Sequence, residues 1–234
     1  MKKGIFITFE GGEGSGKTTL IKKLNTFFES KNIPVCLTRE PGGTPFAEKI
    51  RKIVVESETK EKEEKEEKEE KEEKEEKEEK EELDSIIETT LFNSARRHHL
   101  KNVILPNLKN GKWVICDRFV DSTFVYQGFV QGVSLKLLKT LHEQICYNVF
   151  PSITFLLDVP VEIGLKRAQM RNGNSNECRF ENKSIEFHNN VRKSFLFLAE
   201  KYNKRFVLID ATLSEDDVFQ YVITYLNELI EKNN

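Results

Sequence analysis

The sequence predicts an α/β fold, an open parallel sheet covered by helices on both faces, which gives three layers. Short, nearly continuous apolar runs recur along the chain, as expected of parallel strands buried on both faces. Helical patterns separate these runs, and such alternation indicates a parallel sheet. A glycine-rich loop of a phosphate-binding type lies between the first run and the first helix.

The apolar runs define the expected strands at 4–9, 35–38, 113–116, 153–157 and 206–209. Helical spacing of apolar residues predicts helices over 17–31, 44–56, 83–109, 122–127, 134–147, 161–171, 183–203 and 214–231. Open α/β sheets bind ligands beyond the carboxyl ends of their strands. We therefore expect the site among the polar residues that follow strands: Glu10, Arg39, Glu40, Asp117, Arg118 and Asp158.

The loop at residues 11–18 reads GGEGSGKT, which fits the phosphate-loop pattern G-x-x-x-x-G-K-[ST]. Its glycines allow backbone N–H groups to face phosphate oxygens, and the following helix contributes its positive N-terminal end. Lys17 would reach the terminal phosphates, and the Thr18 hydroxyl would ligate Mg²⁺. The pattern predicts an ATP-type site at Gly11, Gly12, Glu13, Gly14, Ser15, Gly16, Lys17, Thr18 and Thr19.

Charge is unevenly distributed along the 234 residues, whose formal net charge is −2. The Lys/Glu repeat at 57–82 carries 8 Lys and 16 Glu, so the remainder of the chain is basic, at +6. A basic remainder suits a small polyanionic substrate and is too weak a signal for nucleic acid. We predict a single domain over 1–234, interrupted at 57–82 by an exposed insert that is partly helical or disordered. A partner-binding or coiled-coil role for the insert lacks apolar a and d positions.

The cysteines at positions 36, 116, 146 and 178 are scattered, without Cys-x-x-Cys pairs, which favours free thiols in a reducing cytosol. No apolar run reaches the roughly 18 residues of a membrane span, and no cleavable signal precedes the first strand. The expectation is a soluble, cytoplasmic protein with neither membrane nor nucleic-acid partners.

Asp117 and Arg118 follow a buried strand next to the expected phosphate loop. The Asp could organise Mg²⁺ and the Arg could bind a phosphate in a bidentate way, although a strand-end salt bridge is the simpler alternative. Phe92 and Arg96 lie one helical turn apart, on one face. A ring beside an arginine could form a nucleobase pocket, but spacing alone favours a core position for Phe92. His98 and His99 are interpreted as surface residues.

The segment at about 166–182 contains Lys166, Arg167, Arg171 and Arg179 together with Gly and Asn residues. This composition predicts a lid that could close on phosphates and supply positive charge to the transition state. Because the phosphate loop carries Glu13 and no arginine, the charge must come from elsewhere in the chain. A solvated basic helix is the alternative.

Several motifs in order resemble the bacterial thymidylate kinases, a family of P-loop nucleoside monophosphate kinases. They are the phosphate loop, TREPGGT at 38–44, IRKIV at 50–54, LF at 91–92 with Ala95 and Arg96, CDRF at 116–119, and YQG at 126–128. The resemblance covers about residues 3–230 apart from the insert. It implies phosphorylation of dTMP to dTDP by ATP with Mg²⁺, and a homodimer.

The resemblance also implies roles for individual residues. Lys17 and Thr18 would hold ATP phosphates and Mg²⁺, with Asp117 as a further metal-organising group. The catalytic residues would be Lys17, Asp117, Arg118, Arg167, Arg171 and Arg179. The dTMP site would use Glu40 near the sugar, Tyr126 under it, Phe92 stacked on thymine, Arg96, Thr123 and Gln127 around the base, and Arg51 and Arg118 on the phosphate.

One departure concerns the lid, where the family commonly has an Asp before the arginine at position 179 and this chain has Cys178. The residues alone leave two other functions open. The first is a related kinase with another nucleotide or nucleoside acceptor, which the phosphate clamp of Arg51 and Arg118 disfavours when the acceptor lacks a phosphate. The second is a non-catalytic nucleotide-binding protein whose charged arm docks a partner.

Overall fold

The structure is a computed structural model that describes residues 4–55, 83–171 and 183–233. Its five strands form a parallel sheet in the order β2-β3-β1-β4-β5. The strands are β1 (Phe6–Glu10), β2 (Val35–Arg39), β3 (Trp113–Asp117), β4 (Ile153–Asp158) and β5 (Phe206–Asp210). The predicted fold class is confirmed.

Helices α1 (Lys17–Ser30) and α2 (Pro45–Val55) precede the insert. The remaining helices are α3 (Ser85–His99), α4 (Leu105–Lys109), α5 (Val120–Thr123), α6 (Leu135–Ile145), α7 (Val161–Arg171), α8 (Ile185–Lys201) and α9 (Glu215–Asn233). The predicted insert at 57–82 and the lid residues 172–182 lie outside the described residues. In the part of the chain that the structure describes, no helix is both long and apolar enough to cross a membrane.

Two predicted helices contain a wider π-helical turn. The helix expected over 83–109 changes to a π-helix at Leu100–Ile104, where the Leu105 N–H donates to the carbonyl of Leu100. Pro106 follows this turn; it has no N–H to donate and its ring does not fit a regular helix interior. The helix expected over 122–127 is the short α5 followed by a π-helix at Phe124–Val130. Periodicity alone does not distinguish these turns from an α-helix.

Apolar packing on both faces of the sheet produces the three layers. On one face, Phe9 and Phe155 pack with Leu24 of α1 and Val222 of α9. On the other face, one cluster joins β1 and β3 to residues 100–120, and another joins β4 to α8. The strand registers align the carboxyl ends of β1, β2 and β3, since both Phe9 and Arg39 pair with Asp117. This alignment brings the polar residues after β1, β2 and β3 to one edge of the sheet.

Candidate active site

A cavity of about 440 Å³ opens at this edge of the sheet. Residues from the phosphate loop and from α2, α3, β3 and the 118–127 segment line it. Its lining includes most of the residues predicted for the two substrates: Glu13, Gly14, Ser15, Gly16, Lys17, Thr18, Thr19, Glu40, Arg51, Phe92, Arg96, Asp117, Arg118, Thr123, Tyr126 and Gln127. Gly11 and Gly12, the first two residues of the loop, instead line a smaller cavity together with Asp158 and Arg192.

The phosphate loop adopts a conformation that requires glycine at specific positions. Gly14 has φ +65° and Gly16 has φ +91°, in the left-handed region that other residues rarely adopt. Gly16 also precedes the first residue of α1 and, having no side chain, supplies no side-chain hydrogen bond to the helix N-terminus. The N–H groups of the first helical turn are thereby left for an anion, as phosphate binding at a helix N-terminus requires.

Lys17 is buried against the loop that precedes it. Its Nζ donates to the carbonyls of Gly11 at 3.0 Å and Gly12 at 2.9 Å and to Ser15 Oγ at 3.0 Å. Burial, and secondarily the Arg118 guanidinium, lowers the pKa of Lys17 to about 8. Triphosphate oxygens would compensate for this lost hydration, so the lysine is prepared for an anionic ligand.

Thr18 and Asp117 meet at the mouth of the cavity, where Thr18 Oγ1 donates to Asp117 Oδ2 at 3.2 Å. The other carboxylate oxygen, Asp117 Oδ1, is buried and accepts no hydrogen bond from the described residues. Mg²⁺ typically binds through one or two carboxylates together with substrate phosphates. A hydroxyl beside a carboxylate oxygen without a donor therefore fits the predicted metal position.

Arg118 reaches from the end of β3 to the phosphate loop. Its Nη2 donates to Glu13 Oε1 at 2.7 Å, and its guanidinium lies 5.3 Å from the centre of the Tyr126 ring. Tyr126 Oη donates to the same Glu13 oxygen at 3.5 Å. The guanidinium is thus held between the predicted ATP loop and the predicted dTMP pocket, where it could contact phosphates from either side.

Arg96 is 4% exposed and belongs to a buried network of hydrogen bonds. Its Nε donates to Glu40 Oε2 at 2.6 Å and its Nη2 to Thr123 Oγ1 at 2.9 Å. The other Glu40 oxygen lies 3.0 Å from His99 Nδ1, and His99 Nε2 lies 2.6 Å from Thr38 Oγ1. The remaining Nη1 of Arg96 is buried without a partner among the described residues. Since Arg96 lines the cavity, this nitrogen could donate to a base carbonyl.

The base pocket predicted around Phe92 has an apolar wall and a polar wall. Phe92 packs on Ala47, Ile50 and Val54 of α2 and still lines the cavity, so the aromatic is at once core and pocket. Gln127 lines the same cavity, and its Nε2 donates to Glu88 Oε1 at 2.6 Å, which fixes the orientation of the amide.

The predicted phosphate clamp and lid differ in how much of them the structure describes. Arg51 lines the cavity, and its Nη1 donates to the carbonyl of Pro41 at 3.1 Å. Arg167 is exposed, and its Nη1 donates to the carbonyl of Ala211 after β5 at 2.7 Å. Arg171 ends α7, but its side chain, like all of Arg179, lies outside the described residues.

The family model described as thymidylate kinase matches residues 9–70 and 69–222. The chain belongs to the thymidylate kinase family. Members of this family phosphorylate dTMP to dTDP with ATP. The family that the motifs resemble is therefore confirmed, and with it the expectation of a kinase.

Thymidylate kinases from several bacteria are similar over nearly the whole chain. That of Bradyrhizobium sp. strain BTAi1 is 44% identical over 216 residues, which are 92% of this chain and 86% of that protein. That of Geobacillus sp. strain WCH70 is 38% identical over 229 residues, which are 98% and 99% of the two chains. The crystal structure of thymidylate kinase from Ehrlichia chaffeensis superposes with a TM-score of 0.69 at 32% identity, covering 96% of this chain and 99% of that one.

Four residues at this thymidylate kinase site were given no role from the sequence. Glu88 holds Gln127, and its position one turn before Phe92 could have indicated it. His99, interpreted as a surface residue, is fully buried between Thr38 and Glu40, so that interpretation is wrong. His98 is half-buried and lies 3.0 Å from Thr44 Oγ1. Glu10 accepts a hydrogen bond from the turn after β3, and its position at the end of a strand was the only sequence signal for it.

Proposed function

We propose that this cavity transfers the γ-phosphate of ATP to the phosphate of dTMP, with the phosphate loop holding the donor and the Phe92 pocket holding the acceptor. One observation carries the proposal: the residues predicted for ATP and those predicted for dTMP line a single cavity, and Arg118 lies between the two groups. A kinase that transfers a phosphoryl group between two phosphorylated substrates needs this shared space, because in-line transfer requires the two phosphates to meet.

The acceptor site we propose recognises thymine by shape and by hydrogen bonds. Phe92 provides an apolar surface on which a base can stack, and Arg96 Nη1 offers an uncommitted donor. Gln127 is oriented by Glu88, so its amide is fixed before the base arrives. Glu40 would lie near the sugar, and its two oxygens already bind Arg96 and His99, which makes it a rigid wall.

The chemistry requires positioning and charge stabilisation more than proton transfer. A phosphate oxygen of dTMP attacks the γ-phosphorus, the bond from that phosphorus to the bridging oxygen breaks, and ADP leaves. An ionised phosphate oxygen is already nucleophilic, so this step needs no strong base. Lys17 neutralises charge on the donor, and Arg118 neutralises charge at the acceptor and at the transferring group.

Thr18 and Asp117 would hold Mg²⁺, as their arrangement supports. When bound, the ion would neutralise phosphate charge and orient the donor. The roles of Arg167, Arg171 and Arg179 in the lid remain predictions, as do the homodimer and the cytoplasmic location. Arg167 could also serve the donor from its place near Ala211, beyond the end of β5.

The deciding experiment measures ADP release with ATP and Mg²⁺ against dTMP, dUMP, dCMP, dGMP and thymidine. We expect the largest kcat/KM for dTMP and little turnover of thymidine, which has no phosphate for Arg51 and Arg118. Gln127→Leu should reduce the preference among bases while leaving the preference for a phosphorylated acceptor. Higher kcat/KM with another monophosphate would support the related-kinase alternative. ATP binding without turnover of any acceptor would contradict both.

A further inference from the structure

Glu10, the last residue of β1, is fully buried and faces the turn that follows β3. Its Oε1 accepts from the backbone N–H of Phe119 at 2.8 Å and from that of Ser122 at 3.3 Å. Its Oε2 accepts from the Ser122 hydroxyl at 2.6 Å. One carboxylate thus binds three donors from the segment that immediately follows Arg118.

The turn that Glu10 holds is strained at Arg118, whose φ of +62° is unusual for a residue with a side chain. The Arg118 backbone N–H donates at 2.9 Å to the backbone carbonyl of Phe9, the residue before Glu10 in β1. Strained backbone of this kind persists only where its surroundings fix it. On the C-terminal side of Arg118, the hydrogen bonds from Phe119 and Ser122 to Glu10 fix this backbone conformation.

A side-chain path also leads from Glu10 to the guanidinium. The Ser122 hydroxyl donates its proton to Glu10 Oε2, so its lone pairs remain available to accept. Arg118 Nη1 donates to that same Ser122 Oγ at 3.3 Å. Glu10 therefore fixes the direction of the hydroxyl that receives Arg118, although Glu10 itself does not line the cavity.

Retaining a carboxylate at this position is unfavourable for stability. Burial, together with the Asp121 carboxylate, raises the pKa of Glu10 to about 7. Asp121 is itself engaged by Arg205, at 2.6 Å and 2.7 Å. An apolar or amide side chain would avoid the cost of burying a charge, so the carboxylate is explained by what it holds.

We propose that Glu10 is a positioning residue that sets Arg118, through Ser122 and the 118–122 turn, for the phosphate of the acceptor. This inference rests on the proposed function, in which Arg118 binds the dTMP phosphate. It makes phosphate recognition, rather than base recognition or overall folding, the property that depends on Glu10.

The test compares binding of dTMP and thymidine by titration calorimetry, because the two ligands differ only in the phosphate. Glu10→Gln should weaken dTMP binding about tenfold or more, as expected for misplacing a charge-assisted contact, and change thymidine binding less than about twofold. Ser122→Ala should act in the same direction. In an Arg118→Gln background, Glu10→Gln should cause no further loss of dTMP binding, since its effect passes through Arg118.

Asp158→Asn is the matched control, because Asp158 ends the neighbouring strand β4 and binds Arg192 instead of the 118–122 turn. It should leave the ratio of the two affinities unchanged. Equal losses of dTMP and thymidine binding in Glu10→Gln, or no loss at all, would overturn the inference. If Glu10→Gln does not fold, Ser122→Ala and its combination with Arg118→Gln decide the question. A wild-type protein that binds dTMP no better than thymidine would instead contradict the proposed function.

Discussion

The backbone of Gly164 in α7 lies directly against Gly14 of the phosphate loop. A β-carbon on Gly14 would collide with the carbonyl of Gly164, and a β-carbon on Gly164 would come within 2.5 Å of the carbonyl of Glu13. Neither neighbour is a flexible side chain that could move aside. The phosphate loop and the helix that leads into the predicted lid are therefore in backbone contact, which only glycine at both positions allows.

Gly164→Ala should therefore displace the loop, although alanine favours a helix over glycine by about 1 kcal/mol. We expect a loss of about 1–3 kcal/mol in unfolding free energy, typical of an added methyl group in a packed site, and a several-fold higher KM for ATP. Denaturant unfolding and steady-state kinetics measure these quantities.

Gly12→Ala is the control for stability, since a β-carbon there meets no atom within 4 Å. A more stable Gly164→Ala protein with unchanged KM would refute the contact argument.

Lys17→Met should abolish most turnover and yet make the free protein more stable below pH 8. The lysine is buried with a pKa lowered to about 8, so its charged form is unfavourable in the folded state until phosphates arrive. We expect kcat/KM to fall at least about hundredfold, the scale of removing one transition-state donor. Lys23→Met in the same helix is the control, because Lys23 pairs with Glu215 and Asp216 at the surface.

The stability gain of Lys17→Met should depend on pH in a definite direction. Below pH 8 the wild-type lysine is charged in both states and its burial costs stability; this cost disappears as pH rises from about 8 toward 10.5. The advantage of the variant should shrink over that range when unfolding is followed at several pH values. A gain that is constant with pH would mean that packing, not charge, is responsible.

The phosphate loop and the strand ends could be predicted because their chemistry is local in the chain. Glycines, a lysine and a hydroxyl at fixed spacing specify one conformation, and parallel strands bring Asp117 and Glu40 to one edge. The network of Arg96, Glu40 and His99 could not be derived in this way. It depends on how α3 packs over the sheet, and neighbouring histidines on a helix look alike in sequence whether they face inward or outward.

Phe92 illustrates a limit of spacing arguments. An aromatic residue on a helix favours a core position, and Phe92 does pack on the residues of α2. It also lines the cavity, because the cluster it joins ends there. Spacing cannot distinguish a residue that completes a core from one that contacts a ligand, so only the family resemblance favoured stacking on a base.

Glu40→Ala should destabilise the protein strongly, because it leaves the buried Arg96 without its carboxylate. Arg96 and Glu40 are 4% and 5% exposed at their side chains, and their atoms approach to 2.6 Å. Removing one partner of a buried pair typically costs about 3–5 kcal/mol. Glu228→Ala is the control, since Glu228 forms an exposed pair with Lys232, and such pairs contribute about 0–1 kcal/mol. Similar losses in the two variants, measured by denaturant unfolding, would contradict the importance of the network.

His142→Leu should stabilise the protein in acid while changing little at pH 8. The His142 ring is buried, with its centre 4.4 Å from that of Phe150 and 6.4 Å from that of Phe119. Burial, followed by the Arg96 charge, lowers the pKa of His142 from 6.5 to about 4. The unfolded chain therefore binds a proton more readily than the folded chain, so wild-type stability falls as pH drops from 6.5 toward 4. The difference in unfolding free energy between the variant and the wild type should be about 1–2 kcal/mol more favourable to the variant at pH 5 than at pH 8. Guanidinium unfolding at both pH values measures it.

His142→Gln, which cannot titrate, should reproduce the change with pH even if its polar amide lowers stability at both pH values. If neither variant reduces the loss of stability in acid, another group is responsible for it.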